Sequence, residues 1–327
     1  MIVGAIVAIA GLAVADAFRN AGGKHDEPQK AVPPATTGID EAVTAGEVAV
    51  AQKLEPLPLR GSLVVTDAED CHIRRISLAS GKETRLPRLA GDCRLWAAPA
   101  GANIAYGLGS QSLDTELFRF VDLRRPRRSL GGYSARFGFI TWSADGKRAA
   151  WCGRVDSFDL ELGGAAHRLR RCPSAYAPSG TIAFARGKRL AAGGRRVLRA
   201  DGGITFVRWG NDGSVAIVVD GRRLERWQGG RLRQHRDLPE ALQGRLPLLS
   251  PDNCAVLFRL TDRVDLLDLG CFRGEAPRNF FRGAAAWSPD GRWIAVAGPQ
   301  TVAFYRVVGP REVIRWPVAA AQIAWQP

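Results

Sequence analysis

From about residue 59 onward, apolar and polar positions alternate in short bursts, with Val, Ile, Leu, Phe or Trp recurring at every second position and Gly, Pro, Asp or Asn cutting each run off. A period of two over so few residues predicts β-strands joined by tight turns. The unit is clearest between Ala284 and Ala297. An apolar run ends in Trp287, a Ser288-Pro289-Asp290-Gly291 corner follows, and a second run places Ile294 and Val296 on one face. Pro presets φ at such a corner and Gly tolerates positive φ, while β-branched and aromatic residues suit a pleated, buried surface. This predicts a hairpin.

The hairpin recurs. Trp142-Ser143-Ala144-Asp145-Gly146 leads into Ala149-Ala150-Trp151, and Trp209-Gly210-Asn211-Asp212-Gly213 leads into Val215-Ala216-Ile217. Looser copies start at Trp96, Tyr176 and Leu249, and a truncated one at Trp325 ends the chain. The seven anchors lie 46, 34, 33, 40, 38 and 38 residues apart, a period that fits four short strands per unit and the blades of a β-propeller. In the last unit the strands are expected at Ala284–Trp287, Trp293–Ala297, Thr301–Val307 and Glu312–Trp316. The first unit has three, Ser62–Thr66, His72–Leu78 and Glu83–Leu89, with no hairpin before them. Gln322–Trp325 supplies the missing innermost strand and closes the ring, so that no blade is left a strand short. The expectation is an all-β, seven-bladed propeller of four-stranded antiparallel blades over residues 59–327, with six or eight as the neighbouring counts because Tyr176 and Leu249 replace Trp.

These Trp-Ser-Pro-Asp-Gly hairpins resemble the repeats of TolB-type β-propellers, relatives of the WD-repeat propellers, and the resemblance covers roughly residues 59–327. It implies a rigid ring that serves as a binding platform, alone or beside a catalytic domain. In the corners themselves, Asp145-Gly146, Asp212-Gly213 and Asp290-Gly291 are expected to hold the turn, each Asp through side-chain to backbone hydrogen bonds.

Ahead of the ring, residues 1–18 are almost wholly apolar, and the run Ile2–Ala15 ends in Ala13-Val14-Ala15. The run is short of the ~20 residues of a spanning helix and has the length and small-residue ending of a signal peptide. No Lys or Arg precedes it and Arg19 follows, so both a cleaved signal and a membrane anchor are kept. Residues 19–58, rich in Ala, Pro, Thr and Glu, read as a flexible tether, with a short helix over Asp40–Leu54 as the other reading. Both features predict an extracytoplasmic protein, membrane-anchored or secreted.

Cysteine placement agrees with that compartment. Were Asp262-Arg263 a two-residue turn, Cys254 and Cys271 would face each other across an antiparallel pair. Cys71 with Cys93 and Cys152 with Cys172 occupy analogous places, giving three expected disulfides. No Cys-x-x-Cys occurs, so no metal is expected.

The formal net charge is +14, from 40 Arg and six Lys against 32 Asp and Glu. Clusters at Arg124–Arg128, Arg168–Arg171, Arg195-Arg196 and Arg222-Arg223 fall in outer strands and loops, without a basic helix or base-stacking motif. Solvated charge is therefore the reading preferred, an anionic polymer or lipid surface the second, and nucleic acid is not expected. Catalytic signals are few. His25, His72, His167 and His235 are isolated, Gly107-Leu108-Gly109 lacks the rest of a phosphate loop, and no Gly-x-Ser-x-Gly occurs. Asp159 and Glu161 share a strand face as glycosidase carboxylates might, but are read as surface charge.

No catalytic residue, cofactor or metal is therefore assigned. The chain is expected to be a monomeric, non-enzymatic platform for an envelope or extracellular protein partner or other ligand. Two alternatives are kept: a propeller-type lyase or glycosidase acting on polysaccharide, and a structural scaffold of an envelope complex.

Overall fold

The computed structural model describes residues 54–67, 71–86, 94–112, 115–125, 129–135, 140–152, 157–260, 263–269, 279–280 and 283–327. The expected signal or anchor at 1–18 and the tether as far as residue 53 lie outside the described residues.

The period-two bursts form 28 strands arranged as seven four-stranded antiparallel sheets. Blade 1 holds β1 (Ser62–Thr66), β2 (Ile73–Ser77) and β3 (Glu83–Arg85). Blade 2 is β4 (Leu95–Ala97), β5 (Asn103–Ser112), β6 (Thr115–Asp122) and β7 (Ser129–Ala135). Blade 3 is β8 (Ile140–Trp142), β9 (Arg148–Cys152), β10 (Ser157–Glu161) and β11 (Ala166–Leu169), and blade 4 is β12 (Ala175–Tyr176), β13 (Ile182–Arg186), β14 (Arg189–Ala192) and β15 (Arg195–Arg199). Blade 5 is β16 (Ile204–Trp209), β17 (Val215–Val219), β18 (Arg223–Gln228) and β19 (Arg231–Asp237). Blade 6 is β20 (Leu248–Leu249), β21 (Ala255–Arg259), β22 (Val264–Asp268) and β23 (Asn279–Phe280), and blade 7 is β24 (Ala285–Trp287), β25 (Trp293–Ala297), β26 (Val302–Arg306) and β27 (Val313–Trp316). The last strand, β28 (Gln322–Gln326), pairs with β1 from Ser62↔Gln326 to Thr66↔Gln322 and completes blade 1. The first strand of each blade lies innermost: β28 touches β24 and β4, and β12 touches β8 and β16. Among the described residues the helical structure is a 3-10 turn at Glu240–Leu242, and no helix is long and apolar enough to cross a membrane.

The corners explain why the repeats fold alike despite uneven sequences. Asp145 accepts from the Ser143 hydroxyl at 2.6 Å and the Lys147 amide at 3.0 Å, and Asp290 accepts from Ser288 at 2.6 Å and Arg292 at 3.1 Å. Asp252 does the same with Ser250 and Cys254 in the copy that begins at Leu249. There, Asn253 with φ 57° takes the left-handed place filled by Gly146 and Gly291 elsewhere, which Asn tolerates better than most residues. At Gly146 a Cβ would lie 2.1 Å from the Ala100 carbonyl, so no side chain fits. Tyr176 and Leu249, at the Trp position, are buried at 5% and 1% exposure. The fold needs a large apolar group there rather than indole.

Apolar clusters lie between neighbouring blades. The largest joins blades 7 and 1 through Leu63, Ile76, Val302, Phe304, Trp316 and Trp325. The smallest, between blades 3 and 4, comprises three buried residues, Ala150, Tyr176 and Ile182, with Leu169 and Phe184 half-buried beside it.

Two expectations change. Residues 54–58, read as tether, lie on the propeller: the Leu57 amide donates to the Leu78 carbonyl at 2.8 Å, and the Trp316 indole donates to the Glu55 carbonyl at 3.0 Å. The β21–β22 register also differs from the one expected. Ala255 faces Asp268 and Arg259 faces Val264, and Cys254 lies level with Leu269, two residues short of the facing position expected for it.

Candidate functional site

The weakest apolar seam of the ring opens into a cleft of about 760 Å³ between blades 3 and 4. Its blade 4 wall follows from strand periodicity. Along β13, Ala183 and Ala185 point to blade 5, which leaves Ile182, Phe184 and Arg186 on the opposite face. Side chains directly opposite across an antiparallel pair share a face. Register therefore extends this surface in two rows, Phe184–Ala191–Arg196 and Arg186–Arg189–Arg199, across β13, β14 and β15. The β14–β15 turn is Gly193-Gly194, both at positive φ (56° and 75°), as a two-residue hairpin turn of this kind requires. A bulge between Leu190 and Ala191 offsets β15 by one residue and keeps Arg196 beside Ala191.

Blade 3 and its link to blade 4 form the other wall. Arg148 donates to Asp159 and, at 3.1 Å, to the Gly180 carbonyl, and its guanidinium lies 5.5 Å from the centre of the Tyr176 ring. The Tyr176 hydroxyl donates to the other Asp159 oxygen. Burial and the Asp159 carboxylate both push the Tyr176 pKa up, so the phenol stays a donor. Asp159 is thus buried at 6% exposure and engaged twice, which corrects its reading as surface charge; Glu161 is exposed. The Cys152–Cys172 disulfide, with Cα atoms 5.1 Å apart, ties the link next to Arg171 back to the end of β9. Cys71 and Cys254 are also disulfide-bonded, while Cys93 and Cys271 lie outside the described residues.

Charge makes the cleft unusual. Residues 162–200 carry eight Arg and Lys188 but no Asp or Glu. Arg171, Arg186, Arg189, Arg196 and Arg199 hold no ion pair among the described residues, whereas arginines elsewhere do, as Arg223 with Glu225 at 2.7 Å and Arg306 with Glu312 at 3.3 Å. Like charges directly opposite on adjacent strands, with Cβ atoms about 5 Å apart, repel. The Arg186–Arg189–Arg199 row, exposed to solvent, therefore carries a repulsion that no carboxylate among the described residues offsets. A second cavity, of about 360 Å³, sets Asp122 and Glu161 among Arg124, Arg125 and Lys147, and there Arg124 donates to Asp122 at 3.0 and 3.1 Å.

The anchors Trp96, Trp142, Tyr176, Trp209, Leu249, Trp287 and Trp325 are spread around the ring, one per blade, and form no common site. Asp212 sits in its corner with Ser214 and Arg226; burial pushes its pKa up, but these donors outweigh that and hold it below the usual carboxylate range. Arg168, Arg170, Arg171, Arg195 and Arg196 are exposed, as expected of solvated charge, and of these Arg171 also lines the cleft. The acid-free window over 162–200 was the available signal.

No protein-family model matches the chain, and no curated protein does. Solved structures similar to it include a putative 6-phosphogluconolactonase from Bacteroides uniformis, at 13% identity over 81% of this chain and 98% of that one, TM-score 0.51. TolB from Acinetobacter baumannii matches at 13% identity over 85% of this chain and 68% of that one, TM-score 0.47. The C-terminal WD40 domain of Sif2 matches at 14% identity over 85% and 90%, TM-score 0.49. The likeness is one of fold, and it includes TolB and WD-repeat propellers.

Proposed function

We propose that this chain is a non-enzymatic binding platform that works outside the cytoplasm and docks an acidic protein partner on the face where blades 3 and 4 meet. The observation that carries this reading is the row Arg186–Arg189–Arg199, three guanidiniums in cross-strand register without an ion pair among the described residues. A protein that tolerates such repulsion in its free state gains most when a partner supplies carboxylates. Among the described residues the cleft lining includes no His, Asp, Glu or Cys, so no general base of those types stands beside the Ser179 and Thr181 hydroxyls, which supports binding over catalysis. Disulfides at Cys71, Cys152–Cys172 and Cys254 favour an oxidising compartment.

The test is affinity capture with the tagged full chain from detergent-solubilised envelopes, beside the triple variant Arg186→Glu, Arg189→Glu, Arg199→Glu. The expected result is a stoichiometric protein partner that the triple variant loses while its melting temperature holds. Capture of the same partner by both proteins would overturn the assignment of this face.

A further inference from the structure

The cleft offers more than charge. Beside the arginine row runs Phe184–Ala191, and Ile182 and Leu169 extend this apolar floor toward blade 3. Phe184, Ala191 and Leu169 are half-buried rather than sealed, because the cluster beneath them is the smallest in the ring. A site for bare phosphate or for a uniformly charged polymer has no use for such a floor. Of the four cleft arginines, Arg148 is bound to Asp159 and Gly180, which leaves Arg171, Arg186 and Arg189 for a ligand. Ser179 and Thr181, bonded to each other at 3.0 Å, add hydroxyls at the rim. The Gly193-Gly194 turn keeps the outer wall low, since a Cβ on Gly194 would meet no atom within 4 Å. The opening therefore leaves room for a chain to lie across it, with one side chain directed inward.

We infer that the cleft seats one aromatic or long aliphatic side chain from an acidic segment of the partner, with the side chain on Phe184, Ile182 and Leu169 and the flanking carboxylates on Arg171, Arg186 and Arg189. This rests on the reading of the blade 3–4 face as the docking surface and adds a sequence requirement, carboxylates on both sides of an apolar residue. The arrangement has the anatomy of an interface hot spot, an apolar anchor in a pocket ringed by polar groups. The cavity volume, about 760 Å³, accommodates such an anchor with its neighbours.

The test uses two synthetic peptides of equal charge, Asp-Glu-Phe-Glu-Asp and Asp-Glu-Gly-Glu-Asp with identical Gly-Ser flanks, titrated calorimetrically into the full chain. The Phe peptide is expected to bind at least about tenfold more tightly. Phe184→Ala removes that preference, and Arg189→Gln weakens both peptides. A 4-fluorophenylalanine version gives a readout that does not depend on any variant folding, since its fluorine resonance shifts and broadens when the ring is seated. Equal binding of both peptides, or a fluorine signal that stays sharp while the peptide binds, overturns the anchor and leaves the electrostatic docking reading in place. Failure of both peptides to bind overturns the anchor too. The docking reading itself falls only if the arginine triple variant still captures the partner.

Discussion

Blades 7 and 1 meet differently from blades 3 and 4. The first seam flanks the β1–β28 pair, whose backbone hydrogen bonds close the ring inside blade 1, and it holds the largest apolar cluster among the described residues. Phe304 packs edge-on to Trp325 at 5.4 Å, Trp316 is buried at 1% exposure, and the Trp325 indole donates to the Arg60 carbonyl at 3.0 Å. Residues 54–57 add a further strap across it. The second seam holds three buried apolar residues, an Arg–Asp–Tyr cluster around the buried Asp159, and a disulfide. Packing is heaviest beside the strand pair that closes the ring. Where a disulfide ties the link between neighbouring blades back to β9, the apolar cluster is the smallest and the surface carries charge. A propeller distributes structural and recognition roles among seams that share one backbone plan.

The comparison is broken most severely at the closure seam. Trp316→Ala removes one of the two buried tryptophans of the sealed cluster together with its bond to Glu55. It is expected to cost about 3–5 kcal/mol, measured by denaturant unfolding. At the other seam, the double variant Cys152→Ser, Cys172→Ser opens a loop with a sequence separation of 20. A loop of that size is worth about 3 kcal/mol in the chain-entropy account, and the loss is expected to come with weaker partner capture, because the link that carries Arg171 is no longer held to β9. The smallest effect is the most discriminating. Arg189→Gln relieves repulsion from Arg186 and Arg199 and should leave stability unchanged or raised by up to about 0.5 kcal/mol, while lowering capture. Thermal melts and pull-downs on one preparation read both. A substitution at the closure seam should never separate the two properties in that direction.

Much of the fold was legible because hairpin chemistry is local. The Ser-x-Asp corners, the Trp anchors and the missing first strand together set the blade count and the closing pair β1–β28. Most errors arose where local signals do not fix register. Nothing in the sequence near Thr261 to Arg263 decides the register, and the observed one sets Cys254 level with Leu269, two residues from the expected facing position. Residues 54–58 look like linker because their contacts, to Leu78, Gly81 and Trp316, are distant in sequence. The candidate site was harder to read. Arg186, Arg189 and Arg199 appear in sequence as scattered surface charges, and only the β13–β14–β15 register lines them up on one face. Asp159 looked exposed because its partner Tyr176 belongs to the next blade. What a sequence does show is the length of chain without a carboxylate, and residues 162–200 stand out on that count alone.

The central claim is that recognition sits at the blade 3–4 seam, and hydrogen–deuterium exchange of the free and partner-bound chain tests it most directly. The account predicts new protection in peptides covering residues 179–199, with unchanged exchange across 302–326. Protection confined to the inner strands around the channel, or to the closure seam, would contradict it.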